Sequence, residues 1–143
     1  MDAEQIYKLD SLKAISSFQM LEFSLKIYLA TTFKIISSKV GDVVPFKYGY
    51  KDIENYPLEK LLNLFQKHNE NTDLQRRLNK LRMHRNELAH KSLLVAHEEL
   101  RDILGKELDE SHISLQEVRE ELESCLKLMA EELDRVLKIN GSA

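Results

Sequence analysis

The stretch TDLQRRLNKLRMHRNELAH, residues 72–90, decides the fold. Leu74, Leu78, Leu81, Arg85 and Leu88 follow one another at steps of four, three, four and three, the spacing of one helix face. Thr72 with Gln75 has the pattern of a capping box that would open this helix. The stripe carries Arg85 inward, where a guanidinium demands an anion: a carboxylate of the chain or a phosphate of a ligand. Arg85 and His90 are separated by about 140° on a regular helix. They converge on one ligand only if the helix ends or distorts near Ala89, or if a second copy completes the site. Asn86 and His90 lie one turn apart and share a face. The spacing predicts a break near His90, Lys91 and Ser92, then a helix over about 93–104 ended by Gly105.

Upstream, Pro57 suits the first position of a short helix with Leu58, Leu61, Leu62 and Phe65 on its apolar face. Asn69, Glu70 and Asn71 break it. Residues 3–38 read as one long helix, with Ile6, Leu9, Leu12, Ile15, Phe18, Leu21, Leu25, Tyr28, Phe33 and Ile36 as its stripe. A straight rod of that length spans roughly 55 Å, against a radius of gyration of about 14–15 Å for a compact domain of this size. The helix therefore bends, at Ser16–Ser17 or Thr31–Thr32, or projects an end that would serve dimerisation. Glu22 flanks the stripe. It is either a solvated glutamate or the partner of Arg85 or His90, orienting the imidazole. Gly41 closes this helix. Residues 40–56 form a long connection in which Phe46, Lys47, Tyr48, Gly49, Tyr50 and Lys51 interleave aromatics with lysines. That mixture can stack bases and hold phosphates, or pin the loop onto the helices, or join a dimer contact.

Downstream, residues 108–112 read as an acidic turn. Ser114 with Glu117 forms a capping box, and Ile113 with Val118 a hydrophobic staple. Leu115, Val118, Leu122, Cys125, Met129, Leu133 and Val136 continue a heptad-like stripe to about Ile139. Cys125 reads as a small core residue rather than a nucleophile. Residues 140–143 should fray.

A chain of 143 residues with 43% hydrophobic and 31% charged residues suits one globular domain over residues 1–143. Only 4 glycines and 2 prolines, with abundant Leu, Lys and Glu, favour helices over sheets. The expected fold is all-α: an up-and-down helical bundle of about four main helices plus a short one, assembled as a symmetric dimer. One cysteine excludes an internal disulfide and fits a reducing compartment. There is no membrane-length apolar run, and Met1 is followed by no basic segment of the secretory kind, so a cytoplasmic location is expected.

The formal net charge of -3 conceals an asymmetry. Arg76, Arg77, Lys80, Arg82, Arg85 and Lys91 face a single acid, Glu87, within their span, whereas residues 98–123 are strongly acidic. The basic island suggests a local anion site; the plainer alternative is a solvated face of intrahelical ion pairs. His97 is about 10 Å along a helix from His90, too far to share a metal. His84 and His68 have no ligand-like neighbours, no HExxH run is present, and there is no phosphate-cradling glycine loop. No metal or other cofactor is expected.

Arg85-Asn86-x-x-x-His90 resembles the RNxxxH signature of HEPN domains, a family of helical proteins, many of them metal-independent ribonucleases. The three motif residues carry the resemblance, and the helical reading extends it loosely over most of the chain. It implies catalytic roles for Arg85, Asn86 and His90, in a cleft lined by both protomers of an antiparallel homodimer. It implies RNA as substrate and a toxin or phage-defence role beside a nucleotidyltransferase-like antitoxin. Arg82, Lys47, Tyr48, Tyr50 and Lys91 are candidates for substrate contacts, and Glu22 for an orienting acid. Two alternatives stand beside it: a non-catalytic helical module that binds RNA, a nucleotide or a protein, and a coiled-coil adaptor built on the last helix.

Overall fold

The structure is a computed structural model that describes residues 2–96 and 108–142, with side chains at 2, 5–88 and 115–141. Five helices make up the described chain: α1 (Ala3–Val40), α2 (Tyr50–Ile53), α3 (Leu58–Lys67), α4 (Thr72–Ala96) and α5 (Leu108–Ser142). No strand occurs among the described residues. None of their helices is long and apolar enough to cross a membrane. The all-helical expectation holds for the described residues. The end of a helix at Gly105 and the placement of His97 lie outside the described residues.

α1 starts where Asp2 accepts the Gln5 N–H at 2.8 Å and the Gln5 side chain accepts the Asp2 N–H at 3.2 Å, a reciprocal cap. It then runs 38 residues without interruption, about 57 Å at the helical rise. Its buried face is Tyr7, Ser11, Ala14, Phe18, Leu21, Leu25, Tyr28 and Phe33. The sequence stripe was right from Phe18 to Phe33, with Ile15 packed partly buried beside it, and wrong at its start: Ile6, Leu9 and Leu12 are 37%, 41% and 63% exposed. The reason is geometric. Steps of three fall about 60° short of a full turn, so the series Ile6, Leu9, Leu12, Ile15, Phe18 walks from the outer face to the inner one. The helix carries two apolar stripes on opposite sides, and only one of them is covered within the described chain.

The connection after α1 contains a single helical turn, α2, in which the Asp52 carboxylate accepts the Gly49 N–H at 2.8 Å and Ile53 is buried. Pro57 caps α3 from just outside it, and Leu58, Leu61, Leu62 and Phe65 are all buried. At the start of α4 the cap is Asn71, not Thr72: Asn71 Oδ1 accepts the Leu74 N–H at 3.1 Å. Gln75 reaches back to the Asn69 carbonyl at 2.8 Å. An asparagine just before the first helical residue is as good a cap as the chemistry offers, so Thr72 becomes the first residue of the helix itself.

The predicted break at residues 90–92 is absent. α4 continues to Ala96, through a segment free of glycine and proline in which nothing opposes the helix. The predicted acidic turn at 108–112 is also helical. Ser114 and Glu117 are therefore inside a helix rather than at its start. α5 reaches Ser142, across the residues expected to fray.

Pair contacts fix the directions. Arg119 Nη1 meets Asp10 at 3.0 Å, and Arg135 Nη2 lies 3.5 Å from the Tyr28 hydroxyl, so α1 and α5 run parallel. They share the most extensive helix contact of the described chain. Arg77 bonds Glu121 while Asn71 bonds Glu132, so α4 is antiparallel to α5. Arg85 meets Glu22, and Asn69, just before α4, bonds Tyr28, so α4 is antiparallel to α1 as well. α3 and α4 form a hairpin held further along by Arg82 and Glu59. The described helices therefore do not alternate strictly up and down: α1, α3 and α5 share one direction, and α4 opposes them.

Candidate functional site

Helix α4 has neighbours on three sides, and its arginines divide among them. Arg77 points to α5, with Nε 2.6 Å from Glu121 Oε1 and Nη2 2.8 Å from Ser124 Oγ. The Arg77 hydrogen bond holds the Glu121 carboxyl below its ordinary range. Arg82 points to α3, with Nη1 3.6 Å from Glu59, and its buried Nε has no hydrogen-bond partner. Arg85 points to α1, with Nη2 3.0 Å from Glu22 Oε1. Arg76 pairs with Asp73 on its own helix, and His84 Nδ1 lies 3.7 Å from Glu87. The basic island is thus not one anion-binding surface. It is a helix that supplies a cation to each neighbour in turn.

The Arg85–Glu22 pair is the centre of the candidate site. Glu22 is 18% exposed at its side chain and Arg85 43%. Glu22 is therefore no solvated surface residue, and the structure takes the paired option for it. Yet Glu22 Oε1 is buried without a well-aligned hydrogen bond, close to the guanidinium but off its N–H directions. Asn86 and Met83 are exposed, Met83 at 59%, on the side of α4 away from the buried leucines. Because α4 is continuous, position 90 follows Asn86 by one turn on that outward side, about 140° from Arg85. Of the two ways the sequence left for Arg85 and His90 to converge, the helix break is gone. The side chains of His90 and Lys91 lie outside the described ones.

The aromatic loop is elsewhere. Phe46 and Tyr48 pack on Phe33 with ring centroids 6.0 and 6.1 Å away, and on each other at 5.5 Å. Phe33 is eleven residues along α1 from Glu22, about 16 Å. Lys47, Tyr48 and Tyr50 are exposed, but the fold of one chain pins the loop at the far end of α1 rather than bringing it to Arg85.

One feature escaped the sequence reading. Tyr28, 1% exposed, donates its hydroxyl to the His68 carbonyl at 2.8 Å and accepts from Asn69 Nδ2 at 3.1 Å. Arg135, paired with Glu132 at 2.9 Å, also approaches that hydroxyl. His68 Nδ1 lies 2.8 Å from the Leu64 carbonyl and so carries the proton that it donates. Around this knot is an open cleft of about 630 Å³, also lined by Thr32, Lys67 and Asn71. Its polar groups bond one another and fasten the α3–α4 turn to α1 and α5. The signal was the polar run 68–71 beside Tyr28, visible only once the helices are packed.

Cys125 is fully buried, and burial pushes its thiol up to about 12, which removes it as a nucleophile. Among the described residues no three of His, Cys, Asp and Glu cluster as metal ligands. Compared with protein-family models, curated proteins and solved structures, the chain finds no match.

Proposed function

We propose that the chain is a metal-independent endoribonuclease of the HEPN kind, working as a homodimer, with Arg85, Asn86 and His90 at its site. The observation that supports this reading is the open outward side of α4, where Asn86 is exposed and position 90 follows one turn later on an unbroken helix. In the proposed reaction a base takes the proton of a ribose 2′-hydroxyl, and that oxygen attacks the adjacent phosphorus. The 5′-oxygen leaves with a proton from an acid, giving a 2′,3′-cyclic phosphate and a 5′-hydroxyl. One imidazole cannot be base and acid in the same step, but His90 from each of two copies can. Arg85 turns its fork to the phosphate and stabilises the growing charge. The 2′-hydroxyl requirement makes the reaction specific for RNA. A toxin or defence role in the cytoplasm, controlled by a nucleotidyltransferase-like antitoxin, belongs to the same proposal.

The test is wild type against His90→Ala on a labelled structured RNA in EDTA, with analysis of the cut ends. Wild type leaves cyclic phosphates, His90→Ala leaves the RNA intact, and the pH–rate profile is bell-shaped around histidine-like values. A folded His90→Ala that cuts at the wild-type rate overturns the reading.

The Arg85–Glu22 pair favours a second reading, a helical module that binds RNA, a nucleotide or a protein without cutting it. There Arg85 is committed to α1 as Arg77 is to α5. RNA retained by the protein but never cleaved selects that reading.

A further inference from the structure

The outer stripe of α1 consists of Leu9, Leu12, Met20 and Phe23, which are 41%, 63%, 55% and 53% exposed, with Ser16 at its middle. At about 100° per residue these five positions fall within about 80° of arc, directly opposite the buried stripe centred on Tyr7, Phe18 and Leu25. Side chains of roughly 150–250 Å² at these exposures leave roughly 400 Å² of apolar surface per copy. A contiguous patch of that size marks a contact surface on a soluble chain.

The spacing of the stripe identifies its occupant. Leu9, Leu12, Ser16, Met20 and Phe23 are separated by three, four, four and three residues. That series reads the same in both directions about Ser16. A two-fold contact must be self-complementary, and reversing α1 about Ser16 sets Leu9 against Phe23, Leu12 against Met20, and Ser16 against its own copy. Lys13 then faces Gln19 and Lys8 faces Ser24, so no like charges oppose each other along the seam. The smallest side chain of the stripe sits at the crossing point, where two helices approach most closely. Two copies of the patch, with Lys13, Gln19 and Ile27 at its rim, reach the roughly 1,000 Å² that a specific interface requires.

We infer that two copies of this chain associate through an antiparallel α1–α1 contact centred on Ser16. The contact is argued from α1 alone, and it gives a surface to the homodimer that the ribonuclease reading invokes without locating. Arg85 meets Glu22 and α4 is antiparallel to α1, so position 90, five residues on, is level with about position 17 of α1. That is one residue from the symmetry point. The two-fold axis lies in the interface, perpendicular to both α1 helices, and it leaves both α4 helices on the same side. The two copies of position 90 thus stand at one level across one axis.

The experiment measures the solution mass of the full chain by light scattering, for wild type and for the double variant Leu12→Glu/Met20→Glu. Wild type gives twice 16.7 kDa. The variant gives half that mass with an unchanged helical circular dichroism spectrum, since both positions are exposed. Under mild oxidation Ser16→Cys forms a covalent dimer, because residues facing each other across the axis meet the short Cα separation a disulfide needs. Arg76→Cys, exposed on α4, does not. A monomeric wild type, a variant that stays dimeric, or equal cross-linking of the two cysteine variants overturns the inference. The cleavage assay on the same proteins separates the two proposals. A dimer that Leu12→Glu/Met20→Glu splits but that cuts no RNA keeps the contact and removes the ribonuclease.

Discussion

Breaking the Arg85–Glu22 pair from its two sides has unequal consequences. Two unit charges 3.0 Å apart attract by about 5 kcal/mol at the effective dielectric of a protein surface. Arg85 is 43% exposed, so solvent screens most of that and the net coupling falls to about 1 kcal/mol. Arg85→Met leaves a carboxylate that is only 18% exposed without its cation, which costs about 2 kcal/mol. Glu22→Gln leaves a guanidinium that water can reach, which costs about 0.5–1 kcal/mol. The double variant loses no more than Arg85→Met alone, because the stranded carboxylate is gone. Urea unfolding of the four proteins reads this directly, provided the slope with denaturant stays constant. In melting temperature the larger single effect is about 4–8 °C. Equal losses for the two single variants, or strict additivity in the double, would refute the claim that Glu22 is the buried partner and Arg85 the solvated one. The cycle also calibrates the ribonuclease test, since activity lost in Arg85→Met must exceed what its lowered stability explains.

Three further outcomes follow from the packing. Tyr28→Phe removes a fully buried hydroxyl that joins His68, Asn69 and Arg135, and lowers stability by about 1–2 kcal/mol in the same unfolding assay; no change would mean that water replaces it without loss. Glu121 has its folded pKa depressed below the ordinary 4.5, first by the Arg77 hydrogen bond, so its contribution is full above 4.5 and fades as pH falls through the folded value. At 39% side-chain exposure that contribution is under about 1 kcal/mol, and the stability gap between wild type and Glu121→Gln should close between pH 5 and pH 2; a gap independent of pH contradicts it. Cys125, with its thiol pushed up to about 12, should resist a thiol reagent at pH 8 until urea unfolds the chain.

Much of this arrangement is legible in the sequence where a residue has one helical neighbour to satisfy. Leu74, Leu78, Leu81 and Leu88 keep strict three–four spacing because α4 buries one face, and the same holds for Leu58 to Phe65. The reading failed where a helix serves two partners. The apolar residues of α1 belong to two opposite faces, and a list of steps cannot separate them. It failed again at 90–92 and 108–112, where a motif and a run of acids suggested ends that helix propensity does not impose. For the site, the inward position of Arg85 could be read from its register with the leucines. Its pairing with Glu22 could only be named as one option, because two residues 63 apart in sequence, on different helices, are brought together only when those helices pack. The dispersal of Arg77, Arg82 and Arg85 to three neighbours was invisible for the same reason: charge density along a chain says nothing about direction around a helix.

The parallel pairing of α1 with α5 sets a timetable for synthesis. Of the described helices, the one made first shares its widest contact with the one made last, and about a hundred residues separate the end of α1 from the end of α5. At the usual rates of translation the ribosome needs about 5–20 s to cover that distance. Through that interval α1 carries two uncovered apolar stripes, with only α3 and α4 arriving to shield part of one. A nascent chain in this state is a natural client for a holding chaperone. If the proposed α1–α1 contact forms between chains on one message, it can do so before α5 exists.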